Sequence, residues 1–348
     1  MTALSQPRYE SRAMHTPADS ALAALAPLLT AFSRVEVVVV GDYVADEYVY
    51  GETERISREA PVLIVRYERS ELRAGCAGNA ALNLAALGVK VRAVGVVGAD
   101  PLGAALLDVL EEGGVDVSGI QRVKGRATEA KTRILAGGRS TRRQQMLRVD
   151  RAPEPLPPAV ERRLVADLAR AGRRARAVQA SDYGSGTLVP SAVEALRRIR
   201  RGGVPVCVDS RYDLRAFKGL TMVKPNENEL EAATGISLAR PGGLARAARA
   251  LLRALGCQDL LVTRGRNGMS LFRRGAPPAH IPAHGSLDAV DVTGAGDTVA
   301  ATFCAGIAAG GDAVGAARLA NVAGALVVQK PGTATVSREE ILAELLRP

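Results

Sequence analysis

The 348-residue sequence lacks tryptophan, is only 3% aromatic and has four cysteines that lie far apart: Cys76, Cys207, Cys257 and Cys304. The cysteines form no paired spacing, which argues against a disulfide framework or a zinc knuckle. The net charge is +10, but six lysines stand against 40 arginines. Most arginines lie in helical patterns such as ALRRIRRGG, and few aromatic side chains are present to stack on bases. The charge therefore predicts solvated helix faces and no nucleic-acid partner.

Long apolar segments and known targeting patterns are also missing. No run of 18 residues is apolar and free of glycine and charge, and the first 33 residues do not match a signal peptide. We therefore expect no membrane partner and a cytoplasmic location. No G-x-G-x-x-G motif follows the first predicted strand, which argues against a dinucleotide-binding fold.

Short valine-rich runs recur along the chain and are separated by segments with helical periodicity. They are VEVVVVGD (35–42), VRAVGVVG (91–98), VPVCVDS (204–210) and DLLVTRG (259–265). Buried strands that alternate with helices predict an α/β fold with a mostly parallel sheet covered by helices on both faces. We expect residues 1–34 to form an N-terminal extension with a helix, and residues 35–348 to form one domain.

Two segments break this rhythm, residues 46–70 and 128–150. Each alternates polar and apolar residues around a glycine-containing turn, which predicts an antiparallel hairpin. Together they would form a small β-sheet lid over the carboxyl ends of the parallel strands, where open α/β sheets bind ligands. Two hairpins are too small to bury a face alone, so we expect a homodimer through the lid.

The segment DVTGAGDT, residues 291–298, places small residues before a helical run. Gly294, Ala295 and Gly296 would present backbone N–H groups at a helix N-terminus, where a phosphate is favoured. Asp297 beside that phosphate makes chemical sense as the base that accepts a proton from an attacking hydroxyl. The alternative is an aspartate that caps a tight turn, but such a cap does not need glycines on the ligand side.

Several motifs resemble, in order, those of the ribokinase-like (PfkB) carbohydrate kinases, and among them the D-glycero-β-D-manno-heptose-7-phosphate kinases. They are VVVVGDYVADEYVYGETERISREAPV, RAGCAGNAALNLAALG, SDYGSGTL, KPNENEL, LVTRGRNGMSL, DVTGAGDT and GTATVSREEI. The resemblance implies a three-layer α/β/α fold with a β-sheet lid. It also implies transfer of the γ-phosphate of ATP, with Mg²⁺, to O1 of a heptose 7-phosphate. The chain ends at residue 348, so we expect a stand-alone kinase without an adenylyltransferase half.

The resemblance also implies a sugar-binding set on the lid and at the start of the following helix. Arg55, Lys131 and Arg133 would clamp a sugar phosphate, since paired cations suit a dianion. The alternative for these three is a solvated strand face. Cys76 departs from the glycine usual in the motif. The implied sugar-binding residues are Asp46, Arg55, Gly75, Cys76, Asn79, Lys131 and Arg133.

The nucleotide and metal residues are implied in the same way. Asn226 and Glu229 match the N-x-x-E motif that holds Mg²⁺, partly through water, and their oxygens suit a hard cation. Asp291 and Thr293 match positions that bind a monovalent cation such as K⁺ in several relatives. The implied nucleotide-site residues are Asn226, Glu229, Thr263, Arg264, Gly265, Gly268 and Asn321.

Two departures from the heptose-kinase pattern leave the acceptor open. Ser185 in SDYGSG replaces a lysine, and Arg211 in DSRYD lies near a second lysine that is lost. One alternative is therefore a kinase for another sugar, sugar phosphate or nucleoside. Another is a catalytically silent sensing module, against which the intact Asp297, Asn226 and Glu229 argue.

Overall fold

The computed structural model describes residues 22–138, 143–285 and 288–347. Most of the predicted N-terminal extension, residues 1–21, lies outside this range. The strands are β1 (Glu36–Gly41), β2 (Tyr43–Ile56), β3 (Leu63–Cys76), β4 (Lys90–Gly98), β5 (Val115–Val123), β6 (Ala130–Gly137), β7 (Gln144–Arg151), β8 (Ala177–Asp182), β9 (Val206–Ser210), β10 (Met222–Val223), β11 (Asp259–Thr263), β12 (Met269–Arg273) and β13 (Ala279–Ile281).

The first helix lies shortly before β1, several helices connect strands of the main sheet, and the last three follow β13 in succession. They are α1 (Ala26–Thr30), α2 (Ala77–Ala86), α3 (Pro101–Glu112), α4 (Pro158–Gly172), α5 (Pro190–Arg201), α6 (Glu227–Thr234), α7 (Gly243–Leu255), α8 (Ala295–Ala308), α9 (Ala313–Val327) and α10 (Arg338–Leu345). Within the described ranges, none of them is long and apolar enough to cross a membrane.

The main sheet has the order β13-β12-β11-β10-β9-β8-β1-β4-β5 in the described part of the chain. Every neighbouring pair from β11 to β5 is parallel, and β12 and β13 add antiparallel strands at one edge. The valines of β1 are fully buried, because helices cover both faces of the sheet. The predicted α/β class is thus confirmed.

One hydrophobic core lies on each face of the sheet. On one face, Leu84 of α2, Phe303 of α8 and Leu319 of α9 pack with the alternate valines of β1. On the other face, Leu168 of α4 and Leu196 of α5 pack with the remaining valines. The catalytic motif predicted from the sequence therefore begins a helix that is fixed along its length by the first core.

The lid consists of β2, β3, β6 and β7 and has the strand order β3-β2-β6-β7. Strands β2 and β3 pair antiparallel, as do β6 and β7, so the two predicted hairpins are confirmed. The hairpins join through parallel pairing of β2 with β6, from Ala45 with Ala130 to Glu52 with Gly137. Both hairpins thus leave the main sheet side by side.

The order of the main sheet reverses direction between β1 and β8. From β1 the chain continues outward through β4 and β5, whereas β8 leads outward to β9, β10 and β11 in the opposite direction. In open α/β sheets, the carboxyl ends of the strands at such a reversal border the ligand crevice. Asp42 follows β1 and Tyr183 follows β8 at this point.

Candidate active site

The N-terminus of α8 is open, because no side chain caps it. Gly294 is the N-cap residue with φ of 78°, a left-handed conformation that favours glycine. A Cβ atom at Gly294 would lie 2.6 Å from the Asn79 amide nitrogen, and one at Gly296 would lie 3.5 Å from Lys224 Nζ. The first turn thus offers backbone N–H groups in a space that only small residues leave accessible.

Asp297 is a buried carboxylate held by two donors. Asn79 Nδ2 donates to Oδ2 and the Tyr183 hydroxyl donates to Oδ1, each at 2.8 Å. Burial, followed by repulsion from Asp209, raises the pKa of Asp297 to about 7, although both hydrogen bonds act in the opposite direction. A carboxyl group with a pKa near neutrality can accept and release a proton under physiological conditions.

Asn79 is itself oriented by a hydrogen-bond chain between α2 and α8. Asn83 Nδ2 donates to the Asn79 side-chain oxygen at 3.1 Å, which leaves the Asn79 amide nitrogen facing Asp297. The Thr298 hydroxyl in turn donates to Asn83 Oδ1 at 2.8 Å. Sequence reasoning assigned Asn79 to the sugar, and the structure also makes it a direct partner of Asp297.

A buried ion pair beside the α8 N-terminus was not predicted. Lys224 Nζ lies 3.0 Å from Asp209 Oδ1, and both side chains are more than nine-tenths buried. Burial alone would lower the pKa of Lys224, but the carboxylates of Asp209 and Glu229 outweigh it and raise this pKa. Lys224 therefore remains charged next to Gly296.

The lid places several polar contacts near Asp297. Arg133 Nη1 donates to Asp46 Oδ1 at 2.7 Å, and Gly75 lies so close to Asp46 that a Cβ atom there would be 2.4 Å from its carboxylate. Lys131 Nζ lies 3.6 Å from Cys76 Sγ. Contacts thus connect the predicted sugar-binding residues Asp46, Gly75 and Arg133 to one another and Lys131 to Cys76, while Asn79 contacts Asp297.

Cys76 has a strained backbone. Its φ of 54° is positive, which among the described residues occurs at no other non-glycine position. It immediately precedes α2 and is almost fully buried. A non-glycine residue in such a backbone conformation typically destabilises the folded state by about 1–3 kcal/mol. Residues of this kind cluster at functional sites.

The structure does not bring Arg55 to the other predicted cations. Arg55 is exposed and lies on β2 nine positions after Asp46, which corresponds to about 30 Å along a strand. Within one chain, Arg55 therefore cannot join Lys131 and Arg133 around a single phosphate.

A cavity of about 250 Å³ borders the opposite side of the α8 N-terminus. Six predicted residues line it: Thr263, Gly265, Gly268, Ala295, Gly296 and Asn321. The apolar side chains of Met269, Val292, Val299 and Val328 form much of its wall. His284, which was not predicted, also lines it and contacts Glu344 at 2.9 Å. An apolar cavity with a few polar groups suits a planar ring system.

Asn226 and Glu229 form a capping box at the start of α6. Asn226 Oδ1 accepts the Glu229 N–H and Glu229 Oε2 accepts the Asn226 N–H, each at 2.8 Å. Asn226 also bridges to Thr263 at the edge of the cavity. By contrast, predicted Arg264 is absent from the residues that line the cavity, and its Nε contacts Glu227 at 3.1 Å.

Asp291 fastens two loops together. Its carboxylate accepts the N–H of Thr293 at 2.9 Å and that of Gly332 at 2.8 Å. In the described ranges, His, Cys, Asp and Glu side chains do not form a group of three or more that could hold a metal ion. Any cation here would therefore rely on backbone, amide or water oxygens in addition to a carboxylate.

The two departures lie close to this site. Ser185 lines a small cavity with Asp42, Arg126 and Glu129. The charge of Arg211 helps to lower the pKa of Glu229, which burial raises overall. Arg211 thus retains a positive charge near the N-x-x-E pair, whereas Ser185 does not.

Comparisons with known proteins give the family of the chain. Residues 35–340 match the pfkB family of carbohydrate kinases. The chain is 42% identical over 314 residues to the bifunctional protein HldE of Geobacter sulfurreducens and 41% identical over 324 residues to that of Caulobacter vibrioides. These alignments cover 89% and 92% of this chain but 63% and 65% of the relatives. The chain thus spans less than two-thirds of the length of these relatives.

Solved structures share the fold at lower identity. Arabidopsis thaliana ribokinase complexed with ribose and ATP superimposes with a TM-score of 0.71 at 23% identity, covering 90% of this chain and 99% of that one. Escherichia coli phosphofructokinase-2 in complex with potassium also gives 0.71, at 18% identity and with 90% and 100% coverage. The resemblance found in the sequence is therefore confirmed: the chain belongs to the pfkB family of carbohydrate kinases, and so is a phosphotransferase that acts on a sugar hydroxyl.

Proposed function

We propose that this chain is an ATP-dependent sugar kinase in which Asp297 removes the proton from the attacking sugar hydroxyl. One observation carries the proposal: a buried carboxylate with a pKa of about 7 lies at an uncapped helix N-terminus. Ala295 and Gly296 of this helix N-terminus line the apolar cavity, and Asp297 lies near Cys76, as do Lys131 and Asp46 of the lid. A base between a nucleotide and a sugar is the arrangement that in-line phosphoryl transfer requires.

The nucleotide takes the cavity beside Thr263, Gly265, Gly268 and Asn321. Its phosphates then point toward residues 294–296, where backbone N–H groups and the charge of Lys224 stabilise the negative charge that develops during transfer. Lys224 acts here with the helix N-terminus, because it lies within contact distance of a Cβ position at Gly296. Both features favour an anion over a neutral group.

Mg²⁺ fits the N-x-x-E pair through its donor chemistry. Asn226 and Glu229 offer hard oxygen atoms, and each oxygen that accepts a backbone N–H retains a second lone pair. When bound, the ion neutralises phosphate oxygens of the nucleotide. Asp291 and Thr293 offer oxygen atoms that suit K⁺. The Asp291 carboxylate already joins two loops through the N–H groups of Thr293 and Gly332. A comparison of turnover in K⁺ and Na⁺ buffers tests this second cation.

For the acceptor, we propose D-glycero-β-D-manno-heptose 7-phosphate, phosphorylated at O1. The identity to HldE proteins supports this choice. Lys131 is the cation best placed to meet the substrate phosphate, because Arg133 pairs with Asp46 and Arg55 is distant. Ser185 stands where heptose kinases have a lysine, which supports a second candidate function. In this alternative, the chain is a kinase of the same mechanism that acts on another sugar, sugar phosphate or nucleoside.

An ADP-release assay over a panel of sugars and sugar phosphates tests both the activity and the acceptor. Asp297→Asn keeps the shape of the side chain but cannot accept the proton, so kcat should fall by about 10²- to 10⁴-fold. ATP affinity, measured by calorimetry, should be retained. Asp108→Asn, on an exposed position of α3, is the matched control. Near wild-type turnover by Asp297→Asn would refute the mechanism, and ATP binding without turnover of any panel member would favour a silent sensing module.

We also propose a homodimer formed through the lids of two copies. Of the eleven most exposed large hydrophobic residues in the described ranges, seven lie on the lid or its turn: Ile56, Val62, Leu63, Tyr67, Met146, Leu147 and Val149. An exposed apolar surface favours contact with another protein, and in a twofold dimer the same surface of each copy would face the other. In such a dimer, Arg55 lies nearer the partner than the site of its own chain. Sedimentation at micromolar concentration distinguishes a dimer from a monomer.

A further inference from the structure

Tyr183 stands out among the groups around Asp297, because its loop is unusually well fixed. Burial raises the pKa of the Tyr183 hydroxyl well above its usual value, so the hydroxyl stays protonated. It donates a hydrogen bond to Asp297 Oδ1 at 2.8 Å. With Asn79 on Oδ2, each oxygen of the Asp297 carboxylate has one donor. These two hydrogen bonds together fix the orientation of the Asp297 carboxylate.

The position of Tyr183 depends on a second buried carboxylate, that of Asp42. Asp42 Oδ2 accepts the backbone N–H groups of Tyr183 at 2.8 Å and Ser185 at 3.2 Å, and Oδ1 accepts that of Thr187 at 3.1 Å. Gly184 has φ of 77°, which lets the chain turn around this carboxylate. Asp42 thus fixes the loop of residues 183–187 to the end of β1.

We infer that Tyr183 is a positioning residue for Asp297, and that Asp42 acts through the 183–187 loop to place the Tyr183 hydroxyl. This inference rests on the proposed role of Asp297 as the base. An oriented carboxylate presents its remaining lone pairs to one direction, so the sugar hydroxyl meets an acceptor that needs no reorganisation. The two carboxylates have separate roles, since Asp42 accepts only backbone N–H groups and Asp297 faces the reacting groups.

The inference predicts a change in pH dependence as well as in rate. Charged and titratable groups face Asp297 from three sides: Asp209 and Lys224 beside Gly296, Cys76 at the start of α2, and Tyr183. Burial and Asp209 favour the protonated carboxyl, while Tyr183, Asn79 and Lys224 favour the ionised one. Removal of the Tyr183 hydroxyl alone shifts this balance toward the protonated carboxyl, which is inactive as a base.

Tyr183→Phe is the direct test. We expect kcat at pH 7 to fall about fivefold and to recover by about pH 9, because the acid limb of the pH profile moves up by about one unit when a hydrogen bond to a charged group is lost. The KM for ATP should stay within about twofold, since the nucleotide cavity lacks Tyr183. Tyr212→Phe, which removes a hydroxyl from a tyrosine that is 72% exposed, is the matched control and should keep the wild-type profile.

A second measurement does not require the acceptor to be known. In protein labelled with [¹³C]aspartate, the carboxyl resonance missing from Asp297→Asn identifies Asp297, and its titration midpoint should be higher in Tyr183→Phe than in wild type. An unchanged midpoint, or a pH profile that superimposes on wild type while kcat falls, would overturn the positioning role. If instead Asp297→Asn turns over sugar at the wild-type rate, the proposed function fails before this inference is reached.

The role of Asp42 is tested by non-additivity. Asp42→Asn should change the pH profile in the same direction as Tyr183→Phe, and the double variant should be no slower than Tyr183→Phe alone, because both act on one hydrogen bond. Independent effects that multiply in the double variant would overturn the proposed path from Asp42. Thermal unfolding of each variant, compared at the pH of full activity, separates this result from a loss of folded protein.

Discussion

The buried carboxylate of Asp297 should make the protein less stable at neutral pH. Its pKa rises from 3.8 for an ordinary aspartate to about 7, so the folded state binds this proton more tightly than the unfolded state does. Stability from this group is then greatest below about pH 4 and falls as pH rises toward about 7. Asp297→Asn lacks the titrating group and should therefore gain stability relative to wild type across this interval.

The magnitude follows from the size of the pKa change. Each tenfold change in the proton dissociation constant is worth about 1.4 kcal/mol, so a rise from 3.8 to about 7 corresponds to about 4 kcal/mol at high pH. The asparagine can still accept from Asn79 through its oxygen and donate to the Tyr183 oxygen, so both contacts survive. We expect the variant to exceed wild type by about 2–4 kcal/mol above pH 7 and to equal it near pH 4.

Urea unfolding without nucleotide, at several pH values between these limits, measures the difference. Ligand must be absent because nucleotide binding would add its own stabilisation to the folded state. Asp108→Asn, the same chemical change at an exposed position, is the control. A difference between Asp297→Asn and wild type that does not grow with pH would refute the reasoning, and so would a wild type that is the more stable at high pH.

Three further outcomes are expected. Cys76→Gly should raise the melting temperature by relieving the strained φ of 54°, a gain of about 1–2 kcal/mol that Cys76→Ala should not reproduce. Asp209→Asn should cost about 3–5 kcal/mol in urea unfolding because it strands the buried charge of Lys224, and Lys224→Met in the same chain should restore much of the loss. Leu147→Glu on the exposed lid strand should yield a monomer by sedimentation, whereas the exposed change Tyr212→Glu should leave the dimer; a Leu147→Glu dimer would contradict contact through the lid.

The fold was predictable because its signals are local. Val37 to Val40 form a continuous buried run, which is typical of a strand covered on both faces, and the alternation in residues 46–70 and 128–150 marked the hairpins. The glycine-rich turn before α8 was visible as well, since Gly294 and Gly296 permit a close approach to the backbone that larger residues would block. Such features depend on neighbours a few positions away in sequence.

The partners within the site were not predictable in this way. Asp209 lies on β9 and Lys224 directly follows β10, and in the sequence they are two ordinary charged residues; the fold alone brings them together as a buried pair. Tyr183 belongs to a motif that was recognised, SDYGSG, but its partners Asp42 and Asp297 are more than a hundred positions away on either side. The separation of Arg55 from Asp46 could have been estimated from the rise per residue of a strand. The prediction that Arg55, Lys131 and Arg133 bind one phosphate did not take this distance into account.

The shared direction of β2 and β6 gives the lid the mechanics of a cantilever. Both strands leave the main sheet at the same end, and β3 and β7 return to it there, so all support lies at the base. Strand β2 has 14 residues, or about 45 Å, and a rotation of about 5° at the base would displace its far end by about 4 Å. In such a rotation, residues near the base, such as Asp46 and Arg133, would move least and the far end of the lid would move most. The part of the lid that would move least thus carries the proposed sugar-binding residues, and the part that would move most carries the proposed dimer contact.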